Sequence, residues 1–147
     1  MGSRDFTKFS FRELSSEEIF KFAQKLKPKT SMGVDGVSNK ILKFILPAII
    51  LPLKHIINLS LITGFFHKIF KTSKVIPIFK SECNTNFNNY RPISLLSPIA
   101  KLIEKIVAFQ LTNFCNDNKI FHQNQFGFRS NHNTIQPLML YTKYIYD

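Results

Sequence analysis

Helical periodicity opens the chain. Ile19, Phe22, Ala23 and Leu26 recur three or four residues apart behind Ser15-Ser16-Glu17-Glu18. That tetrapeptide has the form of a capping box, with Ser15 as N-cap and Glu18 able to reach back to its N–H. A helix is predicted from about Ser16 to Lys27, with Pro28 as its stop. Phe6, Phe9 and Phe11 upstream are too few for a strand and suggest an extended arm. Gly33 and Gly36 bracket Asp35 in a turn, and Ser38 can cap a short helix carrying Ile41, Leu42 and Ile45. A second apolar helix is expected over Ala48 to Thr63, closed by Gly64 as an αL cap. Pro47 suits its first turn, whereas Pro52 predicts a kink or a later start. Phe65, Phe66, Ile69 and Phe70 form an aromatic connector.

The period then changes to two. Over 74–80, Lys74, Ile76, Ile78 and Lys80 fall on one face and Val75, Pro77 and Phe79 on the other. Pro77 assigns this strand to an edge or a bulge. After the loop SECNTNFNN, Arg91 and Ile93 share a face, while Tyr90 and Pro92 take the opposite one. Ser97 caps a long helix with Pro98 at its first position. Its predicted buried stripe is Ile99, Leu102, Ile103, Ile106, Val107, Leu111 and Phe114, with Lys101, Glu104, Lys105 and Gln110 outside. The helix should end near Asn116-Asp117-Asn118. Asn133 or Thr134 caps a last helix, with Ile135, Leu138, Met139 and Ile145 inward. These elements predict an α+β fold, mostly helical, with one basic β-hairpin packed on helices.

Composition narrows the class. The chain has 147 residues, the size of one domain, and 44% are hydrophobic. Twenty Lys and Arg against nine acids give a net charge of +11. That balance favours a polyanionic partner, nucleic acid before an anionic membrane surface. Cys83 and Cys115 form no C-x-x-C pair, and His55, His67, His122 and His132 lack the i, i+4 spacing of a metal site. The first ten residues have no signal-peptide character. The apolar window Ile41 to Ile62 is interrupted by Lys43, Pro47, Pro52, Lys54 and His55, too broken for a bilayer span. An intracellular protein, cytoplasmic or nuclear and not secreted, with no membrane partner, is expected.

Two places could bind nucleic acid. If the hairpin register brings Lys80 and Arg91 together, they make a two-cation clamp for a triphosphate or a template backbone. Lysine and proline on edge strands also serve simply to block strand addition. Downstream, Gly127 lies between Phe126 and Phe128 with Arg129 next. It would allow a close backbone approach or a positive φ, and the aromatic-arginine pair suits base stacking with phosphate pairing. The alternative is a bulge packed by its own phenylalanines.

Asn89 to Leu96 (NYRPISLL) and Gln125 to Ser130 (QFGFRS) carry a more specific signal. Both segments resemble signatures of reverse transcriptases from LINE-type non-LTR retrotransposons. Gly33 to Val37 resembles the family's Gly-Pro-Asp-Gly turn, with Val34 in the proline's place, and Phe70-Lys71 stands where Trp-Lys is usual. SNHNT replaces a run in which the family carries a further basic residue. The resemblance implies a partial reverse-transcriptase domain over 1–147: the fingers subdomain, with the palm missing. Residues 1–30 would be the arm and first helix, 31–73 the turn and apolar helices, and 74–95 the fingers hairpin. Residues 96–147 would hold a helix, the QFGFR loop and the start of another helix.

It further implies nucleotide-binding roles for Arg91 and Lys80, and template-binding roles for Gln125, Phe126, Gly127, Phe128 and Arg129. Neither the family's Asp-containing palm strand nor its aromatic-Ala-Asp-Asp turn occurs here, so no catalytic residue and no metal ligand is assigned. No cofactor is expected on this chain, whereas Mg²⁺ and dNTP are expected for the complete enzyme. The expected partners are an RNA template or RNA/DNA hybrid, and the palm and endonuclease regions of a parent polyprotein. Three functions remain open: an inactive polymerase fragment, a stand-alone nucleic-acid-binding module, and a non-functional remnant.

Overall fold

Extended backbone begins the computed structural model, which describes residues 8–146; Phe6 of the expected arm lies outside them. The elements are α1 (Ser16–Gln24), α2 (Asn39–Thr63), α3 (Lys68–Lys71), β1 (Lys74–Phe79), β2 (Tyr90–Leu95), α4 (Pro98–Asp117) and α5 (Ile135–Tyr146). The chain divides into two compact units, Ser10–Gln110 and Met1–Phe9 with Leu111–Asp147.

In the larger unit the capping box forms as the sequence requires. Ser15 Oγ accepts from Glu18 N–H (3.2 Å) and Glu18 Oε2 accepts from Ser15 N–H (3.0 Å). The Arg12 guanidinium closes on the same carboxylate. It holds Glu18 at a pKa of about 2, with the backbone bond to Ser15 as the next cause. Helix α1 stops at Gln24, three residues short of the predicted end. Leu26 N–H bonds to the Ala23 carbonyl in a tightened last turn, and Leu26 is buried.

Where the sequence predicts two helices around Pro47, one continuous helix runs from Asn39 to Thr63. Each proline removes a single i→i−4 bond, and Pro47, Ala48, Leu51 and Pro52 all face solvent. Leu42, Leu46, Leu53, Ile57 and Leu61 are buried along one stripe that continues on the side away from both prolines. Packing of that stripe outweighs the local propensity to break. The continuous helix is long and apolar enough to cross a membrane by length and composition alone, with 28% of its most apolar window buried inside the protein. The sequence expectation that this window is too broken therefore does not hold as a matter of length.

The core joins these leucines and isoleucines to Leu14, Ile19, Phe22, Ala23 and Leu26 and to Leu102, Ile103 and Ile106 of α4. Ser97 Oγ caps α4 by accepting from Ala100 N–H (3.1 Å). Gln110, predicted to lie outside, is buried, while Leu111, predicted inside, is 45% exposed. The reason lies in the arm. Gln110 Oε1 accepts from Arg12 N–H (2.9 Å), and its Nε2 donates to the Arg12 carbonyl (3.0 Å). Two residues on, Asn58 does the same for Leu14, with both bonds at 3.0 Å. Side-chain amides from α2 and α4 thus stand in for neighbouring strands along the extended arm, satisfying backbone groups that the core would otherwise strand.

The hairpin is not packed on helices as expected. Every residue of β1 is exposed, and β2 is half-buried only at Tyr90 and Leu95. Burying either face would cost the desolvation of Lys74, Lys80 and Arg91 or leave the loop's polar groups unpaired. The ribbon is anchored at its base. Gly33 is buried against the backbone of Leu96 and Ser97, where a Cβ would lie 2.9 Å from both Leu96 C and Ser97 N. Gly36, at φ +68, completes that turn.

In the smaller unit, the Phe9 and Phe114 rings lie 5.1 Å apart. Asn133 Oδ1 caps α5 by accepting from Ile135 and Gln136 N–H. No residue of α5 is buried, so Ile135, Leu138, Met139 and Ile145 do not point into a core as predicted. The apolar face forms, but among the described residues nothing covers it.

Candidate nucleic-acid interface

Register decides what the hairpin can hold. β1 and β2 pair antiparallel with Ile76 opposite Ile93, Pro77 opposite Pro92, Ile78 opposite Arg91 and Phe79 opposite Tyr90. One step further, Lys80 N–H donates to the Asn89 carbonyl (2.8 Å). Lys80 therefore lies diagonal to Arg91 on one face, a spacing of about 7–8 Å in antiparallel ribbons. Side chains as long as lysine and arginine can span such a gap. Both are exposed, and among the described residues neither has an ion-pair partner. Ile76, Ile78 and Ile93 floor the same face.

Alternation of the ladder also explains the prolines. With Lys80 opposite Asn89 in a hydrogen-bonded position, the Pro77–Pro92 pair falls in a non-hydrogen-bonded one. Its nitrogens face outward, where no ladder donor is needed. Each edge of the two-stranded ribbon thus carries a proline at a position where an added strand would seek an N–H. Pro77 does lie on an edge, as the sequence implied.

On the opposite face the loop folds back over the strands. Tyr90 Oη donates to the Asn84 carbonyl (2.8 Å), and Asn89 Nδ2 donates to the Cys83 carbonyl (2.9 Å). Val75, Pro77, Thr85, Phe87, Tyr90 and Pro92 line an open, mainly apolar groove of about 550 Å³. The Phe79 and Tyr90 rings pack at 5.5 Å beside it. The Cys83 thiol is pushed down by the hydrogen bond with the Thr85 hydroxyl and then by the Thr85 backbone.

The second predicted site is built differently from expectation. Gly127 has no positive φ, and no atom lies within 4 Å of where its Cβ would be. It provides neither a close approach nor a left-handed turn. The positive φ values fall on its neighbours, Phe128 at 61° and Asn131 at 62°. The Arg129 guanidinium stacks over the Phe121 ring at 5.1 Å and donates to the Gln125 carbonyl (3.4 Å). Phe126 packs on His132 at 5.9 Å. Of the predicted residues, Gln125, Phe126 and Arg129 thus tie the loop together, while Phe128 projects fully into solvent. Lys80 and Arg91 belong to the larger unit and the QFGFR loop to the smaller one. Among the described residues no group of three His, Cys, Asp or Glu could hold a metal ion.

The exposed ribbon carries Lys80 and Arg91 on one face, and a separate loop carries Phe126, Phe128 and Arg129; comparison with known proteins gives the class. No family model matches the chain. It is 37% identical over 130 residues to the probable RNA-directed DNA polymerase from transposon BS of Drosophila melanogaster, an alignment covering 88% of this chain. It is 31% identical over 123 residues, 83% of the chain, to the RNA-directed DNA polymerases from mobile element jockey of Drosophila funebris and Drosophila melanogaster. The chain belongs with the RNA-directed DNA polymerases of non-LTR retrotransposons. It spans 14% and 13% of the length of these curated relatives.

Proposed function

We propose that this chain is the fingers part of a retrotransposon reverse transcriptase, binding template RNA and the incoming nucleotide's phosphates without performing chemistry alone. The observation that carries this is the hairpin register, in which Lys80 and Arg91 share an exposed face with no competing acid paired to them. Arg91 supplies a planar fork to phosphate oxygens and Lys80 a mobile point charge beside it. The QFGFR loop, 125–129, serves the template. A complete polymerase would use Mg²⁺ held by aspartates. Among the described residues no group of three His, Cys, Asp or Glu could hold such an ion, and we assign this chain binding alone.

The test is RNA binding by the purified 147-residue chain across a salt series, alongside primer extension with template, dNTPs and Mg²⁺. Binding is expected to fall steeply with salt, and Arg91→Ala is expected to lower the slope of log K against log[salt] by about 0.7. Unchanged slopes in both Arg91→Ala and Lys80→Ala would remove the clamp. Template-dependent synthesis by the chain alone would overturn its inertness.

A further inference from the structure

Aromatic side chains on a loop normally find a neighbour, and in 121–132 all but one do. Phe121 carries the Arg129 guanidinium, and Phe126 carries His132. Phe128 has no ring partner among the described residues and is 110% exposed. Phe87 and Phe44 are also far out in solvent, at 91% and 86%. Those two sit in helical backbone, whereas Phe128 is held at φ +61. A bulky residue in the left-handed region is costly, and such strain persists where the surroundings enforce it. Here the enforcing contacts flank it on both sides: Phe126 on His132, and Arg129 on Phe121 and on the Gln125 carbonyl. The loop works as a clip whose closure extrudes one flat ring.

We propose that Phe128 is a stacking platform for an unpaired nucleobase, and that Arg129 is the positioning residue that presents it. This rests on the nucleic-acid-binding function proposed above and deepens it, because it moves the ligand contact from the arginine to the phenylalanine. A base offers a flat π-face to a ring with both faces accessible, and such stacking tolerates any sequence. A paired base inside a duplex has both faces covered by its neighbours, so the ligand class is single-stranded RNA. Along the sequence, the nearest cation to Phe128 besides Arg129 is Lys119, the nearest acid is Asp117, and Gln125, Ser130 and Asn131 are polar.

The chain has no tryptophan, so Phe128→Trp inserts a lone indole reporter at the platform. A single-stranded oligoadenylate of about twelve nucleotides, within the site size of one single-strand-binding fold, is expected to quench it saturably. A blunt RNA duplex of equal length is expected to leave it nearly unchanged. Phe128→Ala is expected to weaken binding of the single strand about tenfold, within the range for loss of one stacked base. Arg129→Gln, combined with Phe128→Trp, should reduce the quenching while leaving the salt slope intact. A slope lowered by about 0.7 would make Arg129 a phosphate contact and overturn its positioning role. If the unaltered chain binds the single strand but Phe128→Ala binds equally well and the indole reporter is not quenched, the platform is wrong and the wider function stands. If the unaltered chain binds no RNA, the wider function fails and takes the platform with it.

Discussion

Glu18 is the residue on which the start of the larger unit turns. Its carboxylate closes the capping box and receives the Arg12 guanidinium, which raises the pKa of Arg12 in return. A folded pKa of about 2 lies below the ordinary 4.5. The stabilisation is therefore complete above that ordinary value and is lost as pH falls from 4.5 toward 2. The pair is largely solvent-exposed, so the effect is small and weakened by salt. Thermal melts between about pH 5 and 2 should show an acid limb that Glu18→Gln flattens. Phe128 offers a second test at this scale. Phe128→Gly removes the left-handed penalty of about 1–2 kcal/mol, offset in part by the greater freedom of glycine when unfolded. A net gain of roughly 0.5–1 kcal/mol is expected in urea unfolding, together with loss of single-strand affinity.

Elements depend on a few contacts that secondary-structure patterns do not reveal. Gly33→Ala should drive a methyl group into the Leu96–Ser97 backbone, which cannot yield as a side-chain tip would, at a cost of about 1–3 kcal/mol. Loosening of the ribbon base should follow, visible as faster amide exchange across β2. Asn58→Ala strands both backbone groups of Leu14 in a buried site and is expected to cost about 2–4 kcal/mol, read from the denaturant midpoint. The capping box, the two strands and the Ser97-Pro98 helix start are legible in the sequence, because each is encoded within a few residues. Asn58 and Gln110 are not. A polar residue on a helix reads as outward-facing, and their partners are irregular backbone 44 and 98 positions away. Helical periodicity likewise marks the apolar face of α5 but cannot say whether anything covers it. At QFGFR the glycine is the natural candidate for a positive φ, yet the positive value falls on Phe128.

At the scale of the whole molecule, charge and exposed apolar surface act together. A net charge of +11 favours a polyanion at long range and keeps copies apart at low salt. Meanwhile Phe44, Leu51, Ile62 and the apolar side chains of α5 remain open to solvent. Such surface makes a chain prone to association once salt screens the repulsion. Light scattering of the purified chain should therefore rise with ionic strength and fall again when single-stranded RNA is added. The placing of Lys80 and Arg91 is half legible at this level. Lys80 and Arg91 can be singled out from sequence, but the long loop between the strands leaves their register free, and only the paired strands bring them to one face.

The amide clamp on the arm also has a consequence in time. Arg12 is secured by a residue 98 positions later, and Leu14 by one 44 positions later. Contacts so distant in sequence must close a long loop before they yield any stabilisation, and they slow folding accordingly. During synthesis Leu14 can be secured once Asn58 of α2 has been made, whereas Arg12 must wait for most of α4. The arm thus finds its place in two steps, and the residue that comes first in the chain is fastened last.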